Sequence, residues 1–495
     1  MTSTATLAPP ITPATRPSRS SPWWAGLAAG AVAFSGTGAS TLNGDEIATI
    51  SAATRSLSGL WELAQHIDGH FLPYYVFIHF WAMVSTAELW LRLPSAIAIA
   101  VAAGFLVELG RRLHSTRAGV TAAALFAVLP SVSYYGAFAR SYSFAAAAVV
   151  VSFWALHRTV ESPAARRWVL YGVSVALVCC THLFAVLVLP AQLLAAAVLL
   201  PRRTLLLRML PALAVGGVPA LVLGLVGYGE RHAISWIPQR GPDVLLKFPK
   251  MAAGATEPGV LLFAVALTGA VLLWLASRRS RTAGRITVDR PWLVALLGWL
   301  LLPPLLLLAV SHLVTPVYVD RYLFVTAPAL ALLAGLAVAG LFRGRSAVVA
   351  CCALVLVAGA AGVPQQLEVR EVNGRFEDIP WAVRKIEARP GDAIVFGQSA
   401  VRSRFDYYGD DSMPDDVLRA GSAPEPDGFG YPERDDVAEA LAGRERVWVV
   451  WRGAKSAGPR FDRVKALRGA GFTQESAWHS ADLPGLTVAL YTRPQ

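Results

Sequence analysis

Two adjacent carboxylates, Asp45 and Glu46, lie a few residues beyond the first long apolar run of the chain. The same stretch, Leu42–Tyr75, continues through a weakly amphipathic segment with Trp61 and ends on Asp68, His70 and an aromatic Leu72-Pro73-Tyr74-Tyr75. Further along, Arg92, Arg140, His182, Asp320 and Arg321 each stand at the edge of an apolar run, while the middle of each run is nearly free of ionisable groups. Charge at a membrane boundary is costly to hold and tends to be functional. Acids, bases and arginines gathered at one face fit an active site at that boundary. They fit a transport pathway less well, since that places polar groups at mid-depth on broken helices.

Each candidate also has a plainer reading. Asp45 followed by Glu46 suits a helix N-terminus. Arg140 and Arg321 suit snorkelling to the interface, and Arg92 is expected to serve as such an anchor. Tyr142 and Tyr322 suit interfacial aromatics. His182 reads equally as a buried, satisfied histidine or as a site residue. Asp45, Asp68 and His70 could together hold a divalent cation, although their scattered spacing makes no metal motif.

These residues must be positioned by membrane-embedded elements. The chain has 495 residues, is 55% hydrophobic and has a mean hydropathy of +0.49. Charged residues are 16% of it, where a soluble domain carries about a quarter. Apolar runs of about 20 residues recur, the length that crosses a hydrocarbon core of roughly 30 Å. The expectation is an all-α polytopic bundle. The formal net charge of +11 comes almost entirely from Arg. Nucleic-acid binding is the reflex explanation, but the excess of basic residues in cytoplasmic loops accounts for it better. The cysteines form two adjacent pairs, Cys179–Cys180 and Cys351–Cys352, inside apolar runs, and read as small packing residues. Scarce Lys beside Arg, with abundant Ala, suggests a GC-rich bacterial source, hence a bacterial plasma membrane.

Taken in order, residues 1–21 read as a disordered cytoplasmic tail, and 22–363 as the transmembrane domain. Its first span is Trp23–Leu42, preceded by Arg16 and Arg19, which puts the N-terminus inside and Asp45 outside. An outer loop, 43–92, carries interfacial helices, with Phe71–Leu91 in the interface or re-entrant. Further spans are Leu93–Leu113, Ala118–Tyr135, Tyr142–Leu156, Trp168–Leu200 split at Thr181–His182, Leu205–Tyr228, Val260–Ala276, Trp292–Leu313, Tyr318–Phe342 and Ala347–Val363. This makes about eleven spans, and every inner turn is Arg-rich under one parity. The last part, 364–495, reads as a small extracytoplasmic α/β domain. It has strands at Ala393–Phe396, Val447–Trp451 and Leu486–Tyr491 and helices near Trp381–Glu387, Asp436–Leu441 and Asp462–Arg468. Its Arg402, Arg404 and Asp406 read as solvated surface.

The segments DEI, HIDGHFLPYY, LWLRLPSAIA, FARSYSFAAA, CTHLFAVLVLPAQ and VYVDRYLFVTAPALALL occur in that order. The set resembles the C-type glycosyltransferase superfamily, in the branch of protein O-mannosyltransferases and the lipid A aminoarabinose transferase. It covers roughly Trp23–Phe342 and leaves out the C-terminal domain. Where that family usually has His-Pro-Pro-Leu-Tyr-Tyr, this chain has HFLPYY. The resemblance implies transfer of a sugar, a mannose-like hexose favoured, from a polyprenyl-phosphate donor to a glycan, protein or lipid acceptor at the outer face. Asp45 matches the family's catalytic acidic position and would take the acceptor's proton, with Glu46 orienting it, contacting the acceptor or capping a helix. Arg140 and Arg321 match positions that would bind donor phosphate. Asp68, His70, Tyr142, His182 and Tyr322 complete the candidate substrate-binding set. No Gly-rich phosphate cradle is visible, so a soluble nucleotide sugar is not expected. The rival classes are a flippase for lipid-linked sugars and a scaffold that binds them without turnover.

Overall fold

The computed structural model describes residues 21–279, 288–372, 378–480 and 485–494. Residues 1–20 of the expected N-terminal tail and part of the Arg278–Arg290 loop lie outside them.

The chain is mostly helical, with one small sheet near its C-terminus. Seven described helices are long and apolar enough to cross a membrane: Glu88–Leu113, Tyr142–Glu161, Arg202–Gly229, Thr256–Ser277, Arg290–Leu313, Asp320–Leu341 and Gly344–Glu368. A bent pair, Thr116–Val128 and Pro130–Gly136, adds an eighth if it forms one span. Pro130 follows an extended Leu129, and a residue before proline is pushed out of helical conformation. The bend is 69°. Of the remaining expected spans, Pro22–Phe34 and Leu183–Leu199 are shorter apolar helices, and Ala165–Thr181 is a helix of 17 residues. The break between the last two falls at Thr181–His182, where His182 turns extended.

Small residues let these helices approach closely. A Cβ on Gly119 would stand 2.2 Å from the Val107 carbonyl oxygen, and one on Gly110 2.5 Å from the Gly119 Cα. The Glu88–Leu113 and Thr116–Val128 helices thus touch backbone to backbone, as helices do where no apolar driving force separates them from lipid. At the centre, every residue of Ala327–Ala339 is buried. By contrast Arg202–Gly229 and Gly344–Glu368 leave most of their apolar surface uncovered, as lipid-facing helices do.

Two expectations shift here. Phe71–Leu91 is not one interfacial run: Leu72–Ala82 is a helix that packs on Gly44–Ala53, and Glu88 already starts the next long helix. Arg92 is not an interfacial anchor either, because its side chain is fully buried in an ion pair with Glu46.

The C-terminal region holds a five-stranded sheet in the order β2-β1-β3-β5-β4. Its strands are β1 (Ala393–Phe396), β2 (Asp415–Asp416), β3 (Arg446–Arg452), β4 (Thr473–His479) and β5 (Leu486–Thr492). β1 runs parallel to β2 and β3, and β5 pairs antiparallel with β3 and β4. β1, β3 and β5 are buried on both faces, which explains their unbroken apolar runs. Helices cover the sheet, including Ile379–Lys385 and Asp462–Gly469. Arg402 is no solvated residue: it is buried and paired with Asp416 and Glu433. Arg404 is also buried, and Asp406 pairs with Arg419 at 3.0 Å.

This region sits on the end of the bundle that carries Asp45. Tyr408 Oη accepts from the Leu42 backbone N at 2.7 Å and donates to Glu88 Oε1 at 2.6 Å. Arg55 donates to the carbonyls of Glu425, Pro426 and Gly428.

Candidate active site

Asp45 lies in the first turn of the Gly44–Ala53 helix, but it does not cap it. Asn43 does: its Oδ1 accepts from Glu46 N at 3.1 Å, while its own N donates to Glu46 Oε2 at 3.2 Å, a reciprocal capping box. Glu46 then points inward, where Arg92 Nε and Nη2 donate to its two oxygens at 2.8 and 2.9 Å. Arg92 spends its other donors on the carbonyls of Thr37, Ser40 and Thr41. Asp45, freed from capping, faces a cavity of about 1250 Å³.

The same Glu46 reaches the second half of the site. Its Oε1 accepts from Ala139 N at 3.0 Å, and Thr49 Oγ1 donates to the Ala139 carbonyl at 2.9 Å. Ser95 Oγ donates to the Phe138 carbonyl at 2.6 Å. Arg140 therefore follows a segment pinned from two helices. Its guanidinium donates through Nη2 to Asp68 Oδ2 at 3.2 Å and through Nη1 to the Tyr75 hydroxyl. Tyr75 in turn donates to Asp68 Oδ2 at 2.7 Å, closing a triangle. The Phe71 ring lies 4.5 Å beneath the guanidinium carbon, a cation–π distance. Burial pushes the Asp68 carboxyl up, but Arg140, His70 and the Tyr75 hydrogen bond outweigh it and hold the carboxyl below its ordinary value. Asp68 itself adopts the left-handed backbone, φ 57°.

Arg321, in the turn Asp320–Thr326, completes the arrangement. Its Nη1 lies 3.8 Å from Asp45 Oδ2. Trp236 and Tyr322 rings lie 5.5 and 5.8 Å from its guanidinium carbon. The cavity wall thus includes Asp45, Asp68, His70, Arg140, Tyr142, Arg321 and Tyr322 from the predicted set. Seven basic side chains line it, Arg140, Arg240, Lys247, Lys250, Arg321, Arg404 and Arg452, against the three carboxylates Asp45, Asp68 and Asp320. That excess favours an anionic guest. Arg404 and Arg452 come from the C-terminal region, so its Ser399–Tyr408 helix forms part of the wall.

Other predicted residues land elsewhere. Glu46 is absent from the wall and is fully buried. His182 is buried behind it, accepting at Nδ1 from Phe184 N at 3.2 Å, among the rings of Phe71, Tyr142 and Tyr322. Tyr142 and Tyr322 are buried in that ring cluster rather than standing as interfacial anchors. His70 lies 3.9 Å from Glu230, whose two oxygens also accept from Gly69 N at 3.0 Å. Among the described residues no three His, Cys, Asp or Glu side chains converge as metal ligands. Asp45 and Asp68 face arginines instead, so these two and His70 do not fit a divalent-cation site.

Sequence reasoning missed Glu230, Trp236 and Arg452, gave Tyr75 no role, and read Arg404 as solvated surface although it lines the cavity. Tyr75 stood in the quoted aromatic motif, and its spacing of seven from Asp68 across a turn was the available signal. Glu230 and Trp236 open a long loop after an apolar run, a place where functional residues concentrate. Nothing local marked the two arginines of the C-terminal region.

Residues 70–226 match the family model described as dolichyl-phosphate-mannose-protein mannosyltransferase. No curated protein matches the chain. Among solved structures, the chain is similar to ArnT from Cupriavidus metallidurans bound to undecaprenyl phosphate. The TM-score is 0.55 at 15% identity, over 94% of this chain and 96% of that one. The apo state of the same protein gives 0.51 at 15% identity, over 93% of each chain. With a similarity that spans both the helical bundle and the sheet, the chain has the C-type glycosyltransferase fold.

Proposed function

We propose that the protein is an integral-membrane glycosyltransferase that moves a sugar from a polyprenyl-phosphate donor to an acceptor. The observation that carries this reading is Asp45 beside Arg321 in a large, basic cavity that also exposes Arg140. A donor phosphate on Arg321 and Arg140 would set the anomeric carbon within reach of Asp45. Asp45 takes the acceptor's proton as the acceptor oxygen attacks that carbon. The bond to the phosphate oxygen breaks, and the arginines take up the growing negative charge. A single displacement of this kind inverts the anomeric centre. The undecaprenyl phosphate held by the similar ArnT structure supports a lipid-phosphate carrier, and the matched family description supports a mannose-like hexose. The acceptor would be a glycan, a protein or a lipid.

In the same reading the membrane is a bacterial plasma membrane, with the N-terminus cytoplasmic. The division is a tail over 1–21, a transmembrane domain over 22–363 and an extracytoplasmic α/β domain over 364–495. Asp45 and the sheet, which share one end of the bundle, would then face the outside together.

The test uses membranes carrying the native chain or Asp45→Asn, supplied with radiolabelled polyprenyl-phosphate mannose and envelope extract. Transfer should fall by about 10²–10⁴-fold. Undiminished transfer would remove Asp45 as the base, and absence of any transfer dependent on the native chain would remove the reading.

A further inference from the structure

The two arginine–aspartate pairs that face the cavity are not equivalent. Arg140 and Asp68 are hydrogen-bonded at 3.2 Å, and Tyr75 bridges them by bonding to both. Arg321 and Asp45 stand 3.8 Å apart, a distance beyond hydrogen bonding, and no third side chain among the described residues hydrogen-bonds to both. Both of their side chains keep partial exposure, 27% and 30%, toward the cavity. Arg321 also has a buried Nε with no hydrogen-bond partner. Its donors are thus underused, and the only carboxylate paired with it among the described residues is Asp45.

From this asymmetry we infer that Asp45 is a displaceable counter-ion: donor phosphate takes Arg321 from it, and only then is the carboxylate free to act as base. The inference rests on the reading of Arg321 as a phosphate ligand. In the unliganded site the Arg321 guanidinium lies against the Asp45 carboxylate, so the base is occupied. A phosphodiester carries a full negative charge and accepts charge-assisted hydrogen bonds in the arginine's plane, so it competes for Arg321 on equal terms. The Arg140–Asp68–Tyr75 triangle stays closed and supplies a fixed second charge.

The bookkeeping of the turnover closes without a further reactant. The acceptor O–H proton goes to Asp45, and the oxygen lone pair forms the new bond to the anomeric carbon. The carbon–phosphate oxygen bond breaks, its electron pair staying on phosphate. The product phosphomonoester carries about 1.5–2 negative charges at pH 7, more than the donor, and so holds Arg321 harder. Loss of the proton from Asp45 restores the rival anion, which helps expel the product. Acceptor therefore meets an active base only after donor has bound.

The experiment is equilibrium binding of labelled undecaprenyl phosphate to the full chain in nanodiscs. Asp45→Asn should bind about fivefold tighter than the native chain, the scale of a half-exposed ion pair. Arg321→Gln should bind at least about tenfold weaker. In the double variant, Asp45→Asn should bring no tightening over Arg321→Gln alone. Asp320→Asn removes a neighbouring cavity carboxylate and should shift binding by less than about twofold. Unchanged or weaker binding by Asp45→Asn would overturn the inference. So would equal tightening by Asp320→Asn, or tightening that persists without Arg321, since either is a general charge effect. Transfer is assayed on the same samples. Lost transfer with unchanged binding sinks the exchange and spares Asp45 as the base; retained transfer with tighter binding removes Asp45 as the base and leaves only its role as counter-ion.

Discussion

Glu46 and Arg92 are joined by two hydrogen bonds, at 2.8 and 2.9 Å, in a place where neither side chain meets solvent. This pair fixes both sides of the cavity at once. Glu46 closes the capping box of the helix that presents Asp45, and it holds Ala139 beside Arg140.

Breaking the pair from one side should therefore cost stability before it costs chemistry. Glu46→Gln or Arg92→Met alone should destabilise by about 3–5 kcal/mol, because each leaves a buried charge uncompensated. Thermal unfolding of the purified protein measures this, and the double variant should recover part of the loss. Glu46→Gln that remains folded at low temperature should retain transfer per folded molecule, unlike Asp45→Asn.

Arg140→Lys should raise the donor KM by about tenfold while leaving the charge in place. A lysine is a point charge without a planar fork, so it cannot hold Asp68 and Tyr75 together and still present a face to phosphate. Steady-state kinetics with varied donor distinguishes this from a change in kcat alone.

Acid should loosen the site through Asp68. Its carboxyl is held below the ordinary value of 3.8 by Arg140, His70 and Tyr75, despite burial acting the other way. A depressed folded value means that the stabilisation is complete above 3.8 and is lost as pH falls through the lower folded value. Asp68→Asn should lower stability at neutral pH and flatten that acid limb. Unfolding temperatures taken from neutral pH down through this range would show it.

Gly69→Ala should destabilise by about 1–3 kcal/mol. An added Cβ would meet the Ala64 carbonyl oxygen at 2.2 Å and Glu230 Oε1 at 2.5 Å. The backbone oxygen cannot swing aside, so the turn carrying Asp68 and His70 must move. The readouts are unfolding temperature and donor affinity together.

Much of this was legible in the residues themselves. Apolar run lengths and Arg-rich turns set out the bundle, and the break at Thr181–His182 falls where it was read. Asp45, Arg140 and Arg321 stood out because charge at the edge of an apolar run needs a reason. Capping was weighed for Asp45 and for Glu46; the structure gives it to Asn43 and Glu46, which stand three apart, the spacing of a capping box. Arg92 and Arg402 were misread because their partners lie far along the chain: Glu46 is 46 residues from Arg92, and Glu433 is 31 from Arg402. No local pattern carries such pairings. β4 was missed because its residues, TQESAWH, are only partly covered and form no apolar run.

The Tyr408 hydroxyl touches both the Leu42 backbone and Glu88, and Glu88 lies 3.5 Å from Arg92. A hydroxyl from the sheet-bearing region is thus three contacts from Glu46, through Glu88 and Arg92. Removing that region, or exchanging it for a relative's, would strip a partner from the membrane part's own buried polar chain. Chimaeras should succeed only when positions 88 and 408 travel as one set, and a truncated bundle should not serve as a minimal enzyme.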